Sequence, residues 1–175
     1  MDILSCGELA NLTNRDTDVA IRVVYDRKTL PPNLHGLKGP ELFGGVYMSR
    51  DRLSSWRAGA PDAIRWIVIS MYGMPDWASE GEVRTAGAPF RTTDAAAQIV
   101  AARQGLGITT LPCFVGDADP LLVRVPGGPA PVWNALVSHP GRDAQDEARA
   151  AFTEFISRRV AAYGPLLARL CMSGD

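Results

Sequence analysis

The strongest chemical signal in this chain is Thr92-Thr93-Asp94, three short oxygen-bearing side chains set directly before an apolar-periodic segment. Such residues cap a helix by accepting from its free N–H groups. The same groups and the helix dipole favour negative charge, so Thr92 or Thr93 is also placed to touch a bound anion. Asp94 reads as a cap alone. A second candidate is Arg22, near the end of the apolar run Asp18–Val24. Ligand residues of α/β folds gather at the carboxyl ends of strands, and a guanidinium can hold a carboxylate through two parallel hydrogen bonds. A structural pairing with a local carboxylate explains Arg22 as well, and the two readings stand side by side. Val23, next to it, offers apolar wall or backbone contacts.

Catalytic patterns are missing. His35 lies in a Pro-rich stretch and His139 in His-Pro-Gly, and no GxSxG, P-loop, HExxH or GxGxxG occurs. The GxG of Gly105–Gly107 follows a helical segment instead of a strand, the wrong context for a nucleotide. Cys6, Cys113 and Cys171 are far apart, with no CxxC or CxxH spacing for zinc and no disulfide framework. Cys113 reads as a small packed hydrophobe, and Trp66 and Trp77 as core side chains. Neither enzyme chemistry nor a cofactor or metal is expected.

The elements that would carry these residues alternate in type. Asp18–Val24 reads as a buried parallel strand, 30–39 as a loop from its Pro and Gly content, and Phe43–Ser49 as a strand leading into a polar helix near Arg50. Ile64–Met71 is strand-like, Tyr72–Gly81 irregular, and Val83–Phe90 extended. Asp94–Gln104 is a helix capped by Thr92 or Thr93, with Ala95, Ile99 and Ala102 on its apolar face and Gly105 at its C-cap. Ile108–Leu111 is a strand ended by Pro112, and Leu121–Val125 and Val132–Ser138 are further strands around the Pro126–Pro131 break. The clearest helix is Asp143–Tyr163, acidic at its start, basic near its end and stopped by Gly164-Pro165. This order predicts an α/β protein with mainly parallel sheets.

The 175 residues suffice for one domain or two small lobes. With 18 basic against 19 acidic residues, net charge −1, the chain lacks the basic surplus that gripping DNA unaided would demand. The start, MDILSCGELANL, has no basic segment followed by an apolar one, and no apolar run is long enough to span a bilayer. A cytoplasmic protein without membrane contact is expected.

Taken in order, DVAIRV, GGVYMSRDRL, the threonine-preceded helix, GLGITTLPCFVGDADPLLVRV and a late strand ending in His-Pro resemble the effector-binding domain of LysR-type transcriptional regulators from Ile3 to about Leu170. The resemblance implies the two-lobed fold of type 2 periplasmic binding proteins with two crossover strands. One lobe would be residues 1–48 plus 132–175, the other 49–131. It implies a small effector, carboxylate-bearing by this reading, in a cleft bordered by Arg22, Val23, Ser49, Thr92, Thr93 and Pro112. Ser49 would lie at the first crossover and Pro112 at a strand end. It also implies a homodimer that reaches DNA through a helix-turn-helix domain not seen in this sequence. Measured against the family, the chain reads as N-terminally truncated, opening at what resembles the second strand. Two other uses of the scaffold are a solute-binding protein, which needs a signal or anchor, and a small enzyme, which needs an acid/base constellation.

Overall fold

A computed structural model describes residues 18–24, 34–58, 64–70, 74, 78, 85, 87–128, 131–140 and 147–169. The expected helix around Leu9, the residues Cys6, Trp77 and Cys171, most of the stretch 72–81, and residues 83, 84 and 86 fall outside them. The strands are β1 (Ala20–Val24), β2 (Leu34–Ser49), β3 (Ile67–Ile69), β4 (Phe90–Thr92), β5 (Ile108–Pro112), β6 (Leu122–Arg124) and β7 (Val132–Pro140). The helices are α1 (Leu53–Arg57, entered through a 3-10 turn at Arg50–Arg52), α2 (Ala95–Arg103), α3 (Cys113–Gly116), α4 (Glu147–Ala162) and α5 (Gly164–Arg169).

The chain divides into two compact units, one built on Gly44–Pro131, the other holding the described residues of Leu9–Phe43 and Val132–Asp175. β2 supplies a strand to both. In the first unit β3 and β4 pair in parallel, and β5 joins through a parallel bridge between Trp66 and Ile108. β2 then runs antiparallel to β5 on one side and to β6 on the other. Successive side chains of a strand point to opposite faces, and the core divides accordingly. Val46, Met48, Trp66, Val68 and Ile108 pack on one face with Leu53 and Trp56 of α1. Tyr47, Ile67, Leu111 and Leu122 pack on the other with Ala101 and Ala102 of α2. Consecutive apolar residues in β2 and β3 are thus explained by a sheet covered on both sides.

The Gly-Leu-Gly before β5 answers two separate demands. Gly105 has φ +70° and ends α2, as expected of a C-cap glycine. At Gly107 a Cβ would sit 2.2 Å from the Arg65 carbonyl oxygen, so only glycine lets β5 approach the strand beside it.

The second unit is antiparallel. β7 pairs with β1 from Ala20↔Ser138 to Val24↔Asn134, and with β2 from Leu34↔Pro140 to Phe43↔Val132. The mainly parallel sheet expected from sequence is therefore corrected: among the described residues only β3–β4 and the Trp66–Ile108 bridge are parallel. Asp18–Val24 is not a strand buried on both faces either. Ile21 and Val23 are 58% and 38% exposed, and the buried residue between them is Arg22, at 9%.

The loop expected over 30–39 is also corrected, because Leu34–Lys38 lies in the β2–β7 ladder. The register shifts between Lys38 and Glu41, and Gly39-Pro40 occupies that irregularity. A residue without an N–H fits such a place in a ladder. His139 lies in β7. At the far end α4 stops near Tyr163, but Gly164-Pro165 opens α5 instead of ending helical structure. Proline is tolerated in a first turn, where its N–H would lack an intrahelical partner.

Candidate functional site

Because β3, β4 and β5 run in one direction, their carboxyl ends share an edge of the first unit. Thr92 ends β4 beside Ile69, Pro112 ends β5, and Gly44 of the antiparallel β2 stands opposite Pro112. α2 begins three residues after Thr92, and α3 begins immediately after Pro112. Thr92, Thr93 and Pro112 are thereby brought to one edge.

The reading of Asp94 as a cap holds, and the threonines do not share the role. Asp94, not a threonine, is the N-cap of α2: its Oδ1 accepts from the Ala97 N–H at 2.8 Å. The buried Thr92 hydroxyl lies 3.4 Å from the Val68 carbonyl oxygen and 3.3 Å from that of Asp94, tying β4 to β3 and to the helix start. Thr93 is exposed, and its hydroxyl donates to Asp94 Oδ2 at 3.4 Å. A carboxylate already stands at the positive end of α2, where the dipole favours one. The side of α2 turned inward carries Gln98, Ala101 and Ala102, whereas Ala95 and Val100 are exposed. An alanine-rich helix has little periodic signal to set its phase, and the Gln98 amide donating to the Ile67 carbonyl at 3.3 Å helps decide it.

Ser49 is placed elsewhere. It is buried, pairs with Leu122, and precedes the 3-10 turn without a side-chain cap bond. Five residues of strand separate it from Gly44, roughly 17 Å at about 3.4 Å per residue. The edge that holds Pro112 is therefore not the edge that holds Ser49. The passage of β2 from one unit to the other falls at Phe43–Gly44, not at Ser49. Arg22 and Val23 belong to the second unit. As neighbours in β1 they face opposite sides of its ladder, so they do not line one surface together.

A polar cluster absent from the sequence reading lies in the first unit. The Tyr47 hydroxyl donates to Asp117 Oδ1 at 2.7 Å, and Arg124 reaches both oxygens of Asp117, through Nε at 2.9 Å and through a terminal nitrogen. Burial, then the bond to Asp117, pushes the Tyr47 phenol far above its ordinary range, and the carboxylate likewise raises Arg124. The phenol therefore stays protonated and the guanidinium charged. Asp119, also buried, accepts from Arg103 Nε at 2.6 Å and from the Leu121 N–H at 3.0 Å. The acids of GDADP were visible in the sequence, but their partners stand up to 70 residues away. Cys113 is fully buried, as a packed thiol should be.

Among the described residues no three His, Cys, Asp or Glu side chains gather as a metal set, and no helix is long and apolar enough to cross a membrane.

No family model and no curated protein matches the sequence. Solved structures do match. The effector domain of the transcriptional regulator AmpR of Pseudomonas aeruginosa superposes with a TM-score of 0.70 at 13% identity, over 90% of this chain and 79% of that one. The fold is that of a LysR-type effector-binding domain. The regulatory domain of CrgA, a LysR-type regulator from Neisseria meningitidis, gives 0.66 at 16% identity over 86% and 79%. Full-length LysG from Corynebacterium glutamicum, with its effector Arg bound, gives 0.55 at 12% identity over 83% of this chain and 52% of LysG. These effector domains have the periplasmic-binding-protein-like fold. At these identities the likeness concerns the course of the backbone.

Proposed function

We propose that this chain is a ligand-sensing regulatory domain of the LysR type. It binds a small carboxylate-bearing effector between two lobes, residues 9–43 plus 132–175 and residues 44–131. The effector shifts their arrangement through its differential affinity for two states. The domain works as a cytoplasmic homodimer and does no catalysis, with DNA contacted by a helix-turn-helix domain and not by these near-neutral residues. The observation that carries the reading is the AmpR effector domain, which matches nine-tenths of the chain in fold.

Within the second lobe the effector wall is the edge of Thr92, Thr93 and Pro112. Of these the exposed Thr93 makes the polar contact, since the Thr92 hydroxyl is turned to backbone carbonyls. A thermal-shift screen of aromatic and aliphatic carboxylates tests this. The expected result is stabilisation by at least one, reduced in Thr93→Ala with the free protein's melting temperature unchanged. Asp94→Ala instead lowers the free protein's stability by about 1 kcal/mol, the usual cost of a lost N-cap. A panel that shifts nothing overturns the reading.

A further inference from the structure

α3 is four residues long, too short to hold itself, since isolated helices far longer are marginal. One end starts at Pro112, on the edge assigned above to the effector. The other end is Asp117, whose carboxylate is held from two different strands, by the Tyr47 hydroxyl of β2 and by Arg124 of β6. The Asp117 and Arg124 side chains are only 23% and 27% exposed. Tyr47 is wholly buried, and its ring lies directly beneath Gly116, where a Cβ would come within 2.3 Å of it. Arg124 Nε also donates to the Tyr47 oxygen at 3.2 Å. Two strands, a buried ring and a bidentate ion pair thus converge on the C-cap residue of a single helical turn.

We propose that Tyr47, Asp117 and Arg124 are positioning residues for the effector site: a latch that holds the end of α3 and thereby sets the Pro112–Cys113 wall. They touch no effector themselves. The geometry supports action at a distance because α3 is rigid only while both ends are tied, and its near end is the wall. The consequence for effector affinity rests on the reading under Proposed function, whereas the latch itself does not.

Amide hydrogen exchange on the whole chain, wild type against Tyr47→Phe, tests the latch without any ligand. Tyr47→Phe keeps the ring under Gly116 and removes only the oxygen. The Asp117 amide, bonded to the Cys113 carbonyl at 2.9 Å, and its neighbours back to Cys113 are the reporters. Their exchange is expected to rise about tenfold or more, the size of losing one hydrogen bond to a charged group, while amides of α2 and β3 hold. Arg124→Lys, which keeps the charge but not the paired bonds, should give a smaller rise. No rise at the reporters overturns the latch. A rise spread equally through α2 and β3 overturns it too, since that is the mark of general destabilisation.

Benzoate titration separates the two readings. Binding by wild type that weakens about threefold or more in Tyr47→Phe supports the coupling, and an unchanged affinity beside faster exchange overturns it. If wild type binds none of the carboxylates, the effector reading falls, while the exchange data still decide the latch.

Discussion

From Gly44 to Met48 β2 has β5 on one side, from Tyr47 to Ser49 it has β6 on the other, and Val46, Tyr47 and Met48 are buried in a sheet packed with helices on both faces. From Leu34 to Phe43 the same strand runs against β7 through a register shift, with Leu37, Lys38 and Glu41 exposed. One continuous strand therefore has two energetic characters. The first half is held by side-chain burial. The second is held by its backbone ladder, in which glycines, a proline and charged residues are tolerated because, among residues 37–43, Leu42 alone is buried. The difference teaches that strand character in this protein comes from partners as much as from residue type.

Two truncations test this difference most directly. Met48→Ala, at a residue 1% exposed, should cost about 2–5 kcal/mol. Leu37→Ala, at 51% exposure, should cost about 1 kcal/mol or less. Urea midpoints with unchanged slope would report both, and equal costs would break the distinction between the halves.

A second test sharpens it through pH. Losing the Tyr47 hydroxyl should cost about 1–3 kcal/mol at pH 8, since Asp117 loses a donor. The folded phenol holds its proton above the ordinary value of 10.0. Its contribution is therefore complete below pH 10 and declines as pH rises beyond it, because the unfolded chain then releases a proton that the folded chain keeps. The gap between wild type and Tyr47→Phe should accordingly narrow between pH 10 and 11.5 in denaturant titrations. A constant gap would mean that the phenol's proton is not what the cluster uses.

The smallest effect belongs to the exposed half. Lys38 and Glu41 approach to 3.9 Å across the register shift, with both side chains about half exposed. Lys38→Gln should change stability by about 0.5 kcal/mol or less, and still less in 0.5 M salt. A larger loss in calorimetry would show that the irregularity depends on this ion pair more than on the ladder around it.

Much of the site's surroundings was legible because it rests on neighbours in the chain. Gly105 had to follow a helix at positive φ, Ile108–Pro112 had to be a strand ended by proline, and an acid or threonine had to cap α2. Which of the three did so was not legible, since Thr92, Thr93 and Asp94 are all competent caps. The choice follows from Thr92 being drawn inward by β3. Nor could Thr92 and Pro112 be seen to share an edge that excludes Ser49, because that depends on which strands run parallel.

By itself, then, the sequence determined which segments become strand or helix over most of the described chain, and a fold family resembled in order and spacing. Those are consequences of local dihedral preference and apolar periodicity. Only the tertiary structure decided that β1 and β7 run antiparallel, that 34–38 extends β2 instead of looping, and that Tyr47, Asp117 and Arg124 meet. Each depends on which partner lies alongside a strand, and hydrogen bonds between residues 70 or more positions apart leave no periodic trace in either segment.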